Sequence, residues 1–121
     1  MINYKRSEET EQIAVIQWCQ INEFMYPELK LMYHIPNGGK RSRTEAARFK
    51  KAGVKAGVPD LHLPVAKHGY HGLYIEMKYG KNTTTPIQKE WLLALKEQGY
   101  LCKVCNGAEE AIAVLQQYLS K

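Results

Sequence analysis

Apolar residues recur along the 121-residue chain with two different periods, and the switches between them predict its elements. From Ser7 to about Glu23 the spacing is helical: Ile13, Ile16 and Gln20 share a face, with Gln12 and Cys19 beside it, and Ser7 is a suitable N-cap. Asn22 to Lys30, interrupted by Pro27, reads as a loop. Leu31 to Ile35 alternates and reads as a strand, closed by a Pro36-Asn37-Gly38-Gly39 turn. Thr44 can cap a short basic helix, Glu45 to Ala52, with Gly53 as its C-cap glycine. A second turn, Gly57-Val58-Pro59, leads into a short strand from Asp60 to Val65, and His68 to Gly72 forms a hairpin loop. Leu73 to Lys78 is the clearest strand, with Leu73, Ile75 and Met77 on one face and Tyr74, Glu76 and Lys78 on the other. Thr85, Pro86 and Gln88 open a helix in a capping-box pattern. Ile87, Trp91 and Leu95 line its inner face, and Gly99 ends it. A strand from Leu101 to Cys105 follows. A last helix, starting at Asn106 and Glu109, carries a stripe of Ile112, Leu115 and Leu119. The order α-β-α-β-β-α-β-α predicts an α/β fold, a mixed sheet flanked by helices, in one domain spanning residues 1–121.

Composition narrows the class without naming a function. With 45% hydrophobic and 24% charged residues the chain is globular, not a disordered tail. Met1 to Thr10 has no apolar run of the secretory kind, and nowhere does one approach the ~20 residues that span a bilayer. An intracellular protein with no membrane partner is therefore expected. The three cysteines suit a reducing compartment. Cys102 and Cys105 form a C-x-x-C, but on a strand that spacing places them on opposite faces, and no second pair completes a zinc site. His34 and His62 read as ordinary strand residues or as supports for a nearby site. Trp18 and Trp91 read as packing residues.

Charge is more telling in its distribution than in its total of +5. Lys40, Arg41, Arg43, Arg48, Lys50, Lys51 and Lys55 crowd one segment against the single acid Glu45. Gly38 and Gly39 stand beside them, where backbone amides can approach an anion. Such a segment is either a solvated face or a phosphate-binding surface.

Phosphodiester hydrolysis needs a divalent cation, an activated water and positive charge near the developing phosphorane. Mg²⁺ and Mn²⁺ take carboxylate oxygens, one or two per ion. Asp60 and Glu76 supply two. Lys78, two residues after Glu76, emerges from the same strand face, where an ammonium can orient or deprotonate water or neutralise a phosphate. Glu-x-Lys alone is common on exposed strands. The combination is not: Gly57-Val58-Pro59-Asp60, a hairpin, Ile75-Glu76-Met77-Lys78, then Gln88 on the next helix.

That combination resembles the PD-(D/E)xK nuclease superfamily, and within it the VRR-NUC domains of phages and DNA-repair nucleases. The similar segments are His34 to Arg41, Ala56 to Leu61, Gly72 to Lys78, Pro86 to Leu92 and Gly99-Tyr100, so the likeness spans nearly the whole chain. It implies a restriction-endonuclease-like sheet and a stand-alone nuclease of phage type, in a bacterial or phage-infected cell. By resemblance, Asp60 and Glu76 are the metal carboxylates and Lys78 the catalytic lysine. Met77 holds the position whose backbone carbonyl often completes the metal shell. Gln88 matches a glutamine that orients water or phosphate, although it also fits a capping box with Thr85, and both roles can hold. The family's helix-one glutamate is Glu8, one turn before Gln12, with Glu11 as second choice and Glu9 as third candidate; acids at a helix N-terminus also have a purely structural explanation. Gly38, Gly39, Lys40, Arg41, Arg43, Arg48 and Lys51 would hold the DNA backbone. The implied activity is Mg²⁺- or Mn²⁺-dependent DNA cleavage by a homodimer selective for branched DNA, a Holliday-junction resolvase. The alternatives are a non-catalytic nucleic-acid-binding module on the same fold, or a flap nuclease or exonuclease.

Overall fold

The structure, a computed structural model, describes residues 5–36 and 42–121. The elements are α1 (Glu8–Ile21), a 3-10 turn (Pro27–Leu31), β1 (Tyr33–His34), α2 (Arg43–Lys51), β2 (Leu61–Leu63), β3 (Leu73–Lys78), α3 (Pro86–Glu97), β4 (Leu101–Asn106) and α4 (Ala108–Leu119). The fold is α/β, with the expected order of helices and strands. The Asn37-Gly38-Gly39 part of the first turn lies outside the described residues, as do Lys40 and Arg41. Among the described residues no helix is long and apolar enough to cross a membrane.

The four strands form one sheet in the order β1-β2-β3-β4. β2 and β3 pair antiparallel, Leu61 opposite Ile75 and His62 opposite Tyr74. β3 and β4 pair parallel, with α3 as the crossover between them. One sheet face is apolar: Leu61, Leu63, Leu73, Ile75 and Met77 meet Val15 and Cys19 of α1 and Ala111, Leu115 and Leu119 of α4. Burying each of these larger side chains contributes roughly 1.5–3 kcal/mol. α3 stays outside that core and packs against β4 and the turn at Gly57.

Several boundaries differ from the expected ones. The inner stripe of α1 is Glu11, Val15 and Cys19, spaced four apart, while Ile13 is 45% exposed and Ile16 only half-buried. Ile13 and Ile16 fall outside the buried face because an acid with partners, Glu11, occupies it. α1 ends at Ile21 instead of Glu23, and Asn22 closes it by donating to the Trp18 carbonyl. β1 keeps only Tyr33 and His34, because Leu31 belongs to the 3-10 turn started by Pro27. α2 is capped by Ser42, whose hydroxyl accepts the Glu45 N–H at 3.1 Å, and not by Thr44. Both residues suit the role, so sequence could not choose. β2 is three residues long, where Asp60 to Val65 was expected. β4 runs one residue further, to Asn106, and α4 starts at Ala108 after Gly107. All three cysteines are free thiols.

Candidate active site

The polar face of the sheet is built where β2 and β3 begin and end. Gly57 has φ +89, and a Cβ there would come within 2.9 Å of Ile87, so only glycine lets this turn lie against α3. The turn delivers Asp60 to the position just before β2. The register continues through it: Asp60 lies beside Glu76, and its carbonyl accepts the Ile35 N–H at 2.8 Å. His34 Nδ1 also hydrogen-bonds that carbonyl at 2.8 Å. The Asp60 carboxylate accepts the Met77 N–H at 2.7 Å, while the Met77 side chain is buried in the core.

Glu76 and Lys78 leave β3 on the face opposite Ile75 and Met77, yet both are buried, at 2% and 6% exposure. Lys78 Nζ stands 3.4 Å from Glu76 Oε2. Glu76 Oε1 is sealed from water and receives no N–H or hydroxyl hydrogen bond, and the Glu76 carboxyl lies within hydrogen-bonding reach of that of Asp60, so the pair can share a proton. Burial, then the neighbouring charge of Asp60, push the Glu76 carboxyl up to about 8, against the pull of Lys78. Asp60 is also raised, chiefly by burial; the Met77 N–H opposes this, and Glu8 adds a small contribution in the same direction as burial.

The α1 glutamates separate cleanly. Glu8, in the first turn of α1, reaches this cluster: its Oε1 is 4.0 Å from Lys78 Nζ and its Oε2 accepts from Asn82 Nδ2 at 2.7 Å. Glu11 is used elsewhere. It receives two bonds from Arg6, at 2.8 and 3.1 Å, and the Ala108 N–H at 3.0 Å, so its carboxyl is held below the usual range. Glu9 faces solvent. Asn82 was not anticipated as part of the cluster. Its only signal is that Gly80, with φ +68, turns the chain back after β3; Gly80 is tied to Asn106 by two hydrogen bonds.

Gln88 sits in the cap of α3: its Oε1 accepts the Thr85 N–H at 2.9 Å and its own N–H reaches Thr85 Oγ1 at 3.3 Å. Arg43, Arg48, Lys50 and Lys51 are exposed on α2, which has no buried residue. Gly38, Gly39, Lys40 and Arg41 lie outside the described residues.

Among the described residues no three His, Cys, Asp or Glu side chains gather as a preformed ligand set. The donors nevertheless fit a hard cation. Glu76 and Glu8 flank the Lys78 ammonium, Asp60 adjoins Glu76, and one buried carboxylate oxygen receives no N–H or hydroxyl hydrogen bond. Mg²⁺ asks for only one or two carboxylates, its other positions being filled by water and phosphate. A cation would satisfy Glu76 Oε1 and relieve the repulsion between the two buried acids.

The VRR-NUC domain family matches residues 6–109. A solved structure described as a VRR_NUC domain protein is 38% identical and superposes with a TM-score of 0.81, over 97% of this chain and 91% of its own. No curated protein matches the chain.

Proposed function

The chain belongs to the VRR-NUC domain family and has its nuclease-type fold; from that premise we propose that it is an Mg²⁺- or Mn²⁺-dependent DNA endonuclease whose centre is Asp60, Glu76 and Lys78. The observation that carries this reading is the buried Glu76–Asp60 carboxyl pair beside Lys78, with one oxygen, Glu76 Oε1, that no N–H or hydroxyl group of the protein serves. A protein that only bound DNA would gain nothing from burying carboxylates next to a polyanion.

In this reading Asp60 and Glu76 hold the cation, with Glu8 and the Met77 carbonyl completing its surroundings. The ion would polarise the scissile phosphate and lower the pKa of its water. The Met77 N–H fixes the Asp60 carboxylate. Lys78, held as an ammonium between Glu76 and Glu8, would orient the attacking water and offset charge gathering on the phosphate. Gln88 gives its Oε1 to the helix cap and keeps its NH₂ for a water or phosphate oxygen. Cations of α2, with Gly38 to Arg41 before them, hold the DNA backbone. The finer reading is a homodimer acting on branched DNA.

The test is incubation of duplex, flap, splayed-arm and four-way-junction DNA with Mg²⁺, Mn²⁺ or EDTA. Cleavage should require the cation. Asp60→Ala and Glu76→Ala should abolish it while leaving the far-UV spectrum intact. Near wild-type cleavage by either variant would place the centre elsewhere.

A further inference from the structure

The polar sheet face carries more than the carboxylates. Tyr33, His62 and Tyr74 are successive partners across β1, β2 and β3, so their side chains stand on one face. It is the face of Asp60 and Glu76, which lie two residues further along β2 and β3 in the same direction. His62 lies flat on Tyr74, ring centres 4.1 Å apart and planes within 2°. Tyr100 meets both rings edge-on. Tyr33 ends the row at the sheet edge, 47% exposed, and its hydroxyl shares a 2.8 Å hydrogen bond with His62 Nδ1.

This arrangement differs from a tyrosine that is merely on the surface. An exposed ring ordinarily samples several rotamers and must be immobilised to bind anything. The Tyr33 ring is already held, through a histidine itself clamped between aromatic neighbours. Just past β1, Ile35 and Pro36 line a cleft with Ala52, Gly53, Lys55 and Trp91, so one cation, Lys55, stands at the wall of the cleft that adjoins the Tyr33 strand.

The spacing selects the ligand. Tyr33 lies two residues along and one strand across from Asp60, about 8 Å by backbone spacing, and two strands across from Glu76, about 12 Å, against a rise of about 3.4 Å between stacked bases. A base that adjoins a phosphate held there and is swung out of its stack has this reach. We propose that Tyr33 is a stacking seat for an unpaired nucleobase next to the scissile phosphate. The proposal rests on the nuclease reading and adds to it a residue that favours splayed over continuous DNA.

The test is binding in EDTA, where no cleavage occurs. The probes are a splayed-arm DNA with 2-aminopurine as the first unpaired nucleotide and the same strand in full duplex. The wild type should prefer the splayed arm and quench its fluorophore. Tyr33→Leu should lose on the order of tenfold in splayed-arm affinity, bringing the ratio of the two affinities toward one, whereas Tyr33→Phe, which keeps the ring and loses only the His62 hydrogen bond, should lose clearly less and keep the preference. A wild-type ratio in Tyr33→Leu, or equal losses in Tyr33→Leu and Tyr33→Phe, would overturn the proposal. A second measurement needs no variant: 5-iodouracil at the unpaired position should photo-crosslink to Tyr33 in the wild-type protein, and a crosslink confined to another residue overturns the seat. Neither readout depends on hydrolysis. Failure to cleave with the crosslink intact therefore counts against the catalytic reading alone, and cleavage with the crosslink elsewhere counts against Tyr33 alone.

Discussion

A buried carboxyl oxygen that no N–H or hydroxyl group serves, as Glu76 Oε1 is, costs about 1–3 kcal/mol, and a proton shared with Asp60 offsets part of that cost where no cation is bound. A fold keeps such an atom where a ligand repays the loss, and Lys78 supplies only part of that compensation, through the other oxygen. Lys78 is thus already engaged by Glu76 and Glu8 before any phosphate arrives, and its part is better tested by removing the charge than the stem. Lys78→Met should preserve folding and cation binding, followed by the rise in melting temperature with Mn²⁺. Single-turnover cleavage should fall by roughly two or more orders of magnitude. An unchanged single-turnover rate would reduce Lys78 to a buried structural lysine. At this scale sequence was informative where covalent spacing decides the outcome. Glu76 and Lys78 share a face because they are two apart on a strand, and Asp60 comes beside them because a hairpin joins β2 to β3. It was silent on Asn82 and on the Tyr33–His62 contact. Those depend on loop paths and on which rings meet across the sheet.

Elements explain why the three α1 glutamates part company. α4 begins after Gly107, which has no side chain to cap it, so its first amide is served from another helix: Glu11 accepts the Ala108 N–H. A Cβ at Gly107 would meet Glu11 Oε1 at 3.4 Å, with φ +90 adding strain. Glu11→Ala should destabilise the protein by about 1 kcal/mol, the usual worth of a capping side chain, seen as a lower urea midpoint. The pH dependence has a definite sign. The Arg6 side chain, then the Ala108 N–H, depress the Glu11 carboxyl in the folded state. Its contribution is therefore complete above the ordinary value of 4.5 and is lost as pH falls through the lower folded value. Glu11→Gln should flatten that acid limb, and an acid melting curve identical to wild type would contradict the assignment. The misread face of α1 has the same origin, since apolar periodicity cannot register a buried acid. β3 and the cap of α3 were legible because strict alternation and a Thr-Pro-x-Gln start admit few other structures. α2 is a different kind of element, with no residue in the core, so its cations can be removed at little structural cost. Replacing Arg43, Arg48 and Lys51 with alanine should weaken binding to all DNA sequences about equally and reduce the log–log salt slope by roughly 0.9 per lost contact. An unchanged slope would put the phosphate surface elsewhere.

For the whole molecule the question is how so small a domain recognises a large DNA structure. One centre of this kind cuts one strand, and symmetric pairing is the simplest way to present two in opposed orientation. The end of α1 offers a surface for it: Ile21, Phe24 and Met25 are 70%, 79% and 59% exposed within one short stretch. Large apolar side chains gathered in this way mark an interface more often than a solvated surface. A stable dimer covers about 800 Å² on each partner, more than these three residues supply, so neighbouring polar residues would form its rim. The chain should therefore sediment at about twice its 13.9 kDa mass, and a four-way junction should receive paired, near-symmetric nicks on opposing strands. Phe24→Glu places a charge in the middle of that surface, in the turn after α1 and at the opposite end of the helix from Glu8, and should return the mass to that of one chain. Junction cutting should then lose its pairing while single nicks persist, because the proposed centre draws all its residues from one chain. A wild-type monomer that cuts linear duplex as readily as junctions would remove both the dimer and the junction preference, and leave the nuclease centre of each chain as argued.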